Sequence, residues 1–218
     1  GHLSTGEDVT LWHIENASGA SMDVTDFGCR IVRICMPDRN GVIDDVVVGY
    51  GDLETFEKGD RFLGPVIGRY GNRINHASFT LDGTEYNIVA NEHLDGEPVQ
   101  CHGGFKGFDQ FIWEGNIVME EGRQGVRFYR LSPDGEEGFP GNMEAYVTYW
   151  LSDDNVVTLE YEATTDRPTV VNLSNHTYFN LRGSEPSYVM EHVFQVEADT
   201  CVQNNLQYCP DVLLSVED

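Results

Sequence analysis

Hydrogen-bonding side chains crowd into one stretch of the sequence, TVVNLSNHTYFNLRG at Thr169–Gly183. Five of them, Asn172, Asn175, His176, Tyr178 and Asn180, fall within nine positions. An imidazole titrates near neutral pH, as a general acid must, and neutral amide and phenol groups suit a ligand rich in hydroxyls. A lone histidine in a strand is otherwise a structural residue. The stretch therefore indicates either an acid–base His176 in a polar pocket or a structural histidine.

A second histidine, His102, lies in the segment CHGGFKGF. The two glycines after it would let the backbone approach a ligand closely. Their spacing fits neither GxGxxG nor GxxxxGK[ST], so the segment does not predict phosphate binding. The residues alone leave His102 open between a ligand contact and a role in the loop.

Two arginines and an asparagine lie in the otherwise apolar segment GRYGNRI, as Arg69, Asn72 and Arg73. An arginine there needs acceptors, which are either carboxylates of the fold or hydroxyls of a ligand. The sequence by itself does not distinguish the roles of Arg69 and Arg73.

Other common catalytic arrangements are missing from the sequence. The histidines form no HxH or HExxH pattern, the cysteines form no CxxC pair, and there is no GxSxG segment. His93 and His102 could meet across a loop, which is the remaining route to a metal site. We therefore expect no metal and no serine hydrolase chemistry.

The net charge and the cysteine content restrict the class of binding partner and the cellular compartment. The formal net charge of −24 argues against binding to nucleic acid or to an anionic membrane, and favours a neutral polar ligand. No apolar run approaches the roughly 20 residues that span a bilayer. The five cysteines leave one unpaired in any disulfide scheme, and no signal peptide is visible, so we expect reduced thiols in a cytoplasm.

The elements that must position these residues are predicted to be strands. Apolar and polar residues alternate over most of the chain, with Gly, Pro, Asn and Asp between the alternating segments, and no βαβ pattern occurs. Gly51–Gly59 is the best helical candidate, Phe79–Tyr86 is a hairpin with Asp-Gly at its tip, and Asn91–Trp113 is expected to be an ordered loop.

This pattern predicts an all-β fold, a large antiparallel β-sandwich of two packed sheets, in a single domain over residues 1–218. Strands are also expected at Thr169–Gly183, in EHVFQVEA, and at Val212–Asp218, where the chain stops partway through a strand. We therefore expect that C-terminal strands of the sandwich are missing.

Taken together, the segments resemble the aldose 1-epimerase (galactose mutarotase) family. The similar segments run along most of the chain in the same order: PDRNG, DVVVGY, GRYGNRI, FTLDGTEY, CHGGFKGFDQFIW, DGEEGFPGN, VTYWL, TTDRPTVVNLSNHTYFNL and VEADT. The resemblance implies an antiparallel β-sandwich that interconverts the α and β anomers of free aldohexoses such as galactose and glucose, without a cofactor.

The resemblance also assigns roles to residues. It implies that His176 is the general acid that protonates the ring oxygen and that His102 hydrogen-bonds the sugar and assists with charge there. Asn72 and Arg73 would bind sugar hydroxyls, and Tyr178 would line the same pocket. Cys101 departs from the family, which usually has an apolar residue before the histidine.

The catalytic base is the main departure. In the family it is a glutamate far toward the C-terminus, and a substrate-binding aspartate also lies beyond residue 218. Activity is therefore expected of the intact protein rather than of these 218 residues alone. Two alternatives stay open: a family member that binds sugar without turning it over, and an inactive fragment. The oligomeric state is not predicted.

Overall fold

The computed structural model describes residues 1–59, 62–120, 123–184 and 188–216. Over these ranges strands dominate, with the α-helix α1 at Leu53–Lys58 and 3₁₀ helices at Phe108–Gln110, Glu136–Gly138 and Val189–Glu191. The strands are β1 (Leu11–Glu15), β2 (Ser21–Thr25), β3 (Arg30–Pro37), β4 (Ile43–Asp45), β5 (Val47–Val48), β6 (Val66–Ile67), β7 (Arg73–Asn75), β8 (Ser78–Leu81), β9 (Thr84–Asn87), β10 (Glu92–Leu94), β11 (Glu97–Cys101), β12 (Glu114–Glu120), β13 (Arg123–Ser132), β14 (Met143–Leu151), β15 (Val157–Thr165), β16 (Ser174–Asn175), β17 (Tyr178–Phe179), β18 (Thr200–Asn204) and β19 (Pro210–Ser215).

Two four-stranded antiparallel sheets form the body of the protein. One has the order β1-β2-β3-β4 and the other β12-β13-β14-β15. Alternate side chains of both sheets point inward and form one apolar core, which includes Ile14, Met22, Val24, Ile31, Ile34, Val126, Phe128, Val147 and Tyr149. The Tyr149 hydroxyl donates to the Cys29 carbonyl at 2.6 Å inside this core. The predicted antiparallel β-sandwich is confirmed.

Local turn chemistry explains several of the elements. Asp82 and Gly83 have φ of 50° and 78°, and they connect β8 to β9 as the sequence predicts. The Asp52 side chain accepts a hydrogen bond from Thr55 N at 2.8 Å and thereby caps the short helix α1. Both the hairpin and the helix predictions are confirmed.

The prediction of a loop over Asn91–Trp113 is wrong in its first half. Residues of β10 and β11 form an antiparallel hairpin there, and β11 also pairs with β7. Its turn is Asp95-Gly96, with φ of 52° and 84°. This is the same Asp-Gly signal that identifies the β8–β9 hairpin, but the strands on either side are too short to show an alternating pattern.

Two other predicted strands differ in the structure. The stretch Thr169–Gly183 is not one strand: β16 pairs with β6, and β17 pairs with β5. EHVFQVEA forms no strand, and its Val193 and Phe194 are 95% and 90% exposed. Alternation alone does not make a strand, because the backbone must also find a partner to complete its hydrogen bonds. The strand predicted at Val212–Asp218 is confirmed as part of β19, while Glu217 and Asp218 lie outside the described residues.

Candidate functional site

The two candidate histidines meet in the structure, although they are far apart in the sequence. The ring centroids of His102 and His176 are 5.1 Å apart and the rings are perpendicular, at 89°. His102 follows β11 directly, and His176 lies in the short connection between β16 and β17. The backbone of His176 is fixed by hydrogen bonds from its N–H to Pro65 O (2.9 Å) and to its carbonyl from Gly64 N (3.1 Å).

Backbone contacts determine the tautomer of His102. The Asn72 N–H donates to His102 Nδ1 at 3.0 Å, and the His102 N–H donates to the Asn72 carbonyl at 3.1 Å. Because Nδ1 is the acceptor, the proton of the neutral ring resides on Nε2. Burial, with smaller contributions from His176 and Arg73, lowers the pKa of His102 to about 4. At neutral pH His102 is therefore a neutral imidazole that can donate from Nε2.

Two aromatic residues complete the surroundings of the histidines. The Tyr178 ring lies 5.1 Å from that of His176, and Tyr178 is partly exposed. The Phe62 ring lies 4.9 Å from His102 and 5.9 Å from His176, so it contacts both. Sequence reasoning missed Phe62, because nothing separates it from the other apolar residues of its segment.

Arg69 and Arg73 have different environments in the structure, which the sequence alone does not predict. Arg69 is only 2% exposed and donates to Ser132 O (3.1 Å), Ser132 Oγ (2.6 Å), Pro133 O (3.3 Å), Pro140 O (2.9 Å) and Gly141 O (3.0 Å). These contacts tie β13 and the loop before β14 together. Arg69 is therefore a structural arginine.

Arg73 has a different environment. It lies on β7, opposite Cys101 of β11, and its Nε and Nη2 donate to the Glu92 carboxylate at 2.8 and 3.4 Å. Within the described residues its Nη1 has no hydrogen-bond partner, which leaves donors for a ligand. Glu92 was missed by sequence reasoning, which expected carboxylates near an arginine but had no means to select one.

The asparagines also differ in environment: Asn72 is exposed, whereas the amides of Asn172 and Asn175 bind the backbone. Asn72 is exposed beside His102. The Asn172 amide donates to Gly71 O at 2.9 Å, and that of Asn175 donates to Gly64 O at 2.9 Å. These two hydrogen bonds hold the segment against the loops that flank β6.

The neighbouring cysteine behaves as an apolar residue. Burial raises the pKa of the Cys101 thiol to about 12, so the thiol stays protonated and packs as a small apolar side chain. The five cysteines are free.

The described residues contain neither a metal centre nor a membrane-spanning helix. No group of three or more His, Cys, Asp or Glu among the described residues is arranged to hold a metal ion. An apolar cavity of about 240 Å³ lies elsewhere, between residues such as Val9, Leu53 and Phe56, and no histidine lines it. No helix in the described part is long and apolar enough to cross a membrane.

Comparisons with known proteins agree with the fold. A sequence model of the family described as aldose 1-epimerase matches residues 10–211. Human galactose mutarotase is 40% identical over 179 residues, covering 82% of this chain and 50% of that protein. Aldose 1-epimerase of Escherichia coli (strain K12) is 38% identical over 194 residues, covering 89% and 54%.

A solved structure gives the same result. The crystal structure of a GalM/aldose epimerase homologue from C. elegans aligns with a TM-score of 0.85 and 31% identity, covering 97% of this chain and 62% of that one. The chain spans about half the length of the curated relatives it matches. The family match extends over nearly the whole chain, and we conclude that this protein belongs to the aldose 1-epimerase family.

Proposed function

We propose that the protein of which these residues are part is an aldose 1-epimerase that interconverts the α and β anomers of free aldohexoses such as galactose and glucose. The observation that carries this proposal is the pair His102–His176, with ring centroids 5.1 Å apart and the His102 ring kept neutral by burial. Family membership supports the same conclusion.

The reaction needs a proton at the ring oxygen and the removal of a proton from the C1 hydroxyl. In the proposed mechanism His176 donates a proton to the ring oxygen while the bond between C1 and that oxygen breaks. His102, neutral and protonated on Nε2, donates a hydrogen bond that stabilises charge at the same oxygen. Rotation of the resulting aldehyde, followed by the reverse steps, closes the ring on either face.

The other residues would bind the sugar. The free Nη1 of Arg73 and the exposed amide of Asn72 suit sugar hydroxyls, and Tyr178 and Phe62 form aromatic walls next to the two imidazoles.

Among the described residues, Glu92 is the carboxylate that binds Arg73, but its geometry does not suit a base. Both of its oxygens accept hydrogen bonds from Arg73, so the carboxylate is already engaged by the guanidinium. The proposal therefore assigns the base to a residue outside the described ones, in agreement with the resemblance.

Polarimetry of freshly dissolved α-D-galactose and α-D-glucose with the complete gene product tests the proposal. We expect a rate above that of buffer alone. A rate equal to buffer would contradict the enzymatic function, and calorimetric titration with the same sugars would then decide between sugar binding without turnover and an inactive protein.

The cysteines and the net charge indicate the cellular compartment and the class of partner. We infer a cytoplasmic location from the free cysteines, three of which, Cys29, Cys101 and Cys209, are buried. The formal charge of −24 supports a neutral sugar as the partner and argues against nucleic acid.

A further inference from the structure

The hairpin of β18 and β19 is exposed along both strands, and its buried residue lies in the turn. Cys209 is only 3% exposed, whereas every residue of the two strands is exposed. Burial raises the pKa of the Cys209 thiol, and Arg73 and Glu92 are the charged groups that also act on it. The turn of this hairpin therefore lies against the Arg73–Glu92 pair.

The turn has a defined internal structure. The Asn205 side chain accepts hydrogen bonds from Gln207 N (2.9 Å) and Cys209 N (3.0 Å), and Asn205 N donates to Cys209 O at 2.9 Å. Tyr208 has φ of 55°, in the left-handed region that a bulky side chain rarely adopts. The hydrogen bonds made by Asn205 hold Tyr208 in this conformation.

This conformation brings the ring of Tyr208 to Arg73. The guanidinium carbon of Arg73 lies 5.6 Å from the centroid of the Tyr208 ring, within the range of a cation–π interaction. Glu92 binds the edge of the guanidinium through Nε and Nη2, while Tyr208 faces it and Nη1 has no hydrogen-bond partner among the described residues. Two separate segments thus restrict a side chain that is otherwise rich in rotamers.

We propose that Tyr208 is a positioning residue that holds the Arg73 guanidinium in place for a sugar, so that the Asn205–Cys209 turn forms one wall of the site. The inference rests on the proposed function for the identity of the ligand. It assigns a role to a part of the chain that neither the resemblance nor the sequence pattern connected with the site.

Kinetics of the complete gene product with D-galactose test the role in binding. Because a correctly held guanidinium would bind the sugar equally in the ground and transition states, Tyr208→Ala is expected to raise KM about two- to fivefold with kcat nearly unchanged. Tyr208→Phe keeps the ring face and is expected to restore the KM. Leu206→Ala, in the same turn and 77% exposed, is the matched control.

An unchanged KM in Tyr208→Ala would overturn the inference, as would a Tyr208→Phe variant as impaired as Tyr208→Ala. A second readout does not depend on sugar. The Arg73 Nε–H resonance should shift when the ring is removed in Tyr208→Ala and keep its position in Tyr208→Phe and Leu206→Ala. If the wild type does not bind or turn over galactose, the proposed function fails, and this resonance still decides whether Tyr208 holds Arg73: no shift in Tyr208→Ala contradicts it.

Discussion

Arg69 and Arg73 show at the scale of single residues that environment decides the role of a side chain. They are four positions apart in one segment and carry the same charge. Arg69 donates only to oxygens of the fold, whereas Arg73 acts on His102 and has no partner for its Nη1 among the described residues. Their roles follow from what lies across from them, which the local sequence does not encode.

Substituting each arginine by methionine should separate these roles. Arg69→Met leaves several buried carbonyls without donors, so we expect a loss of about 2–4 kcal/mol in the free energy of unfolding. Arg73→Met removes a partly exposed ion pair, and we expect a loss within about 1 kcal/mol together with loss of galactose binding. Urea unfolding and calorimetric titration measure the two effects. An Arg73 variant as unstable as the Arg69 variant would contradict the assignment.

The lowered pKa of His102 predicts that the free energy of unfolding depends on pH. The folded chain resists protonating this ring down to about pH 4, whereas the unfolded chain takes up the proton near pH 6.5. Between these values the unfolded state binds more protons, so stability is lost as pH falls from 6.5 to 4. The contribution of this one group is on the order of 2–3 kcal/mol.

His102→Asn should remove this part of the pH dependence. Asparagine tolerates the φ of 53° at this position, so the backbone can keep its conformation. His93→Asn, an exposed histidine on β10, is the control and should keep the dependence of the wild type. The measurement is the free energy of unfolding at several values between pH 4 and 7. Equal slopes for wild type and His102→Asn would contradict the neutral state of His102.

At the scale of elements, the site depends on short strands such as β6 and β11, because the loops that follow them pack directly against each other. The carbonyl of Gly68, just after β6, approaches the His102 loop so closely that a Cβ on Gly103 would lie 1.8 Å from it. Gly103 also has φ of 93°. Only glycine meets both requirements, so this contact fixes where His102 leaves β11.

Gly103→Ala should therefore do more harm than its conformation alone explains. Gly96→Ala is a matched control, because Gly96 has φ of 84° and nothing within 4 Å of its added Cβ. We expect Gly96→Ala to cost about 1–2 kcal/mol from backbone conformation. Gly103→Ala adds a backbone clash and should lose both more stability and galactose binding. Similar unfolding midpoints and similar binding in the two variants would contradict this account.

These elements also show how far sequence reasoning reaches. The Asp82-Gly83 hairpin was predicted, because turn chemistry is a local signal. Thr169–Gly183 was predicted as one strand but divides between partners β6 and β5, which only the tertiary fold determines. Phe62, Glu92 and Tyr208 could not be predicted, since each reaches the site through contacts between distant segments.

At the scale of the whole molecule, the sandwich leaves an apolar groove uncovered by the described residues. The groove has a volume of about 460 Å³ and lies beside β3, β15 and β17. Its lining includes Met36, Val157, Leu159, Phe179 and Leu181, of which Leu181 is 68% exposed. Apolar surface of this kind drives association when it remains in water.

Residues 1–218 by themselves should consequently associate as concentration rises. Leu181→Gln places a polar group in the groove and should reduce association, whereas Leu131→Gln, at an exposed position outside the groove, should leave it unchanged. Light scattering after size-exclusion chromatography measures the mass at several concentrations. A monodisperse monomer at all of them would contradict the prediction.

The central claim is that His176 supplies the proton that opens a sugar ring. The most direct measurement is the polarimetric kcat for α-D-galactose of the complete gene product, compared between wild type, His176→Asn and the control His93→Asn. We predict that His176→Asn lowers kcat by about 10²-fold or more while its melting temperature stays that of the wild type, and that His93→Asn retains full activity. A kcat within a few-fold of wild type in a folded His176→Asn variant would contradict the account.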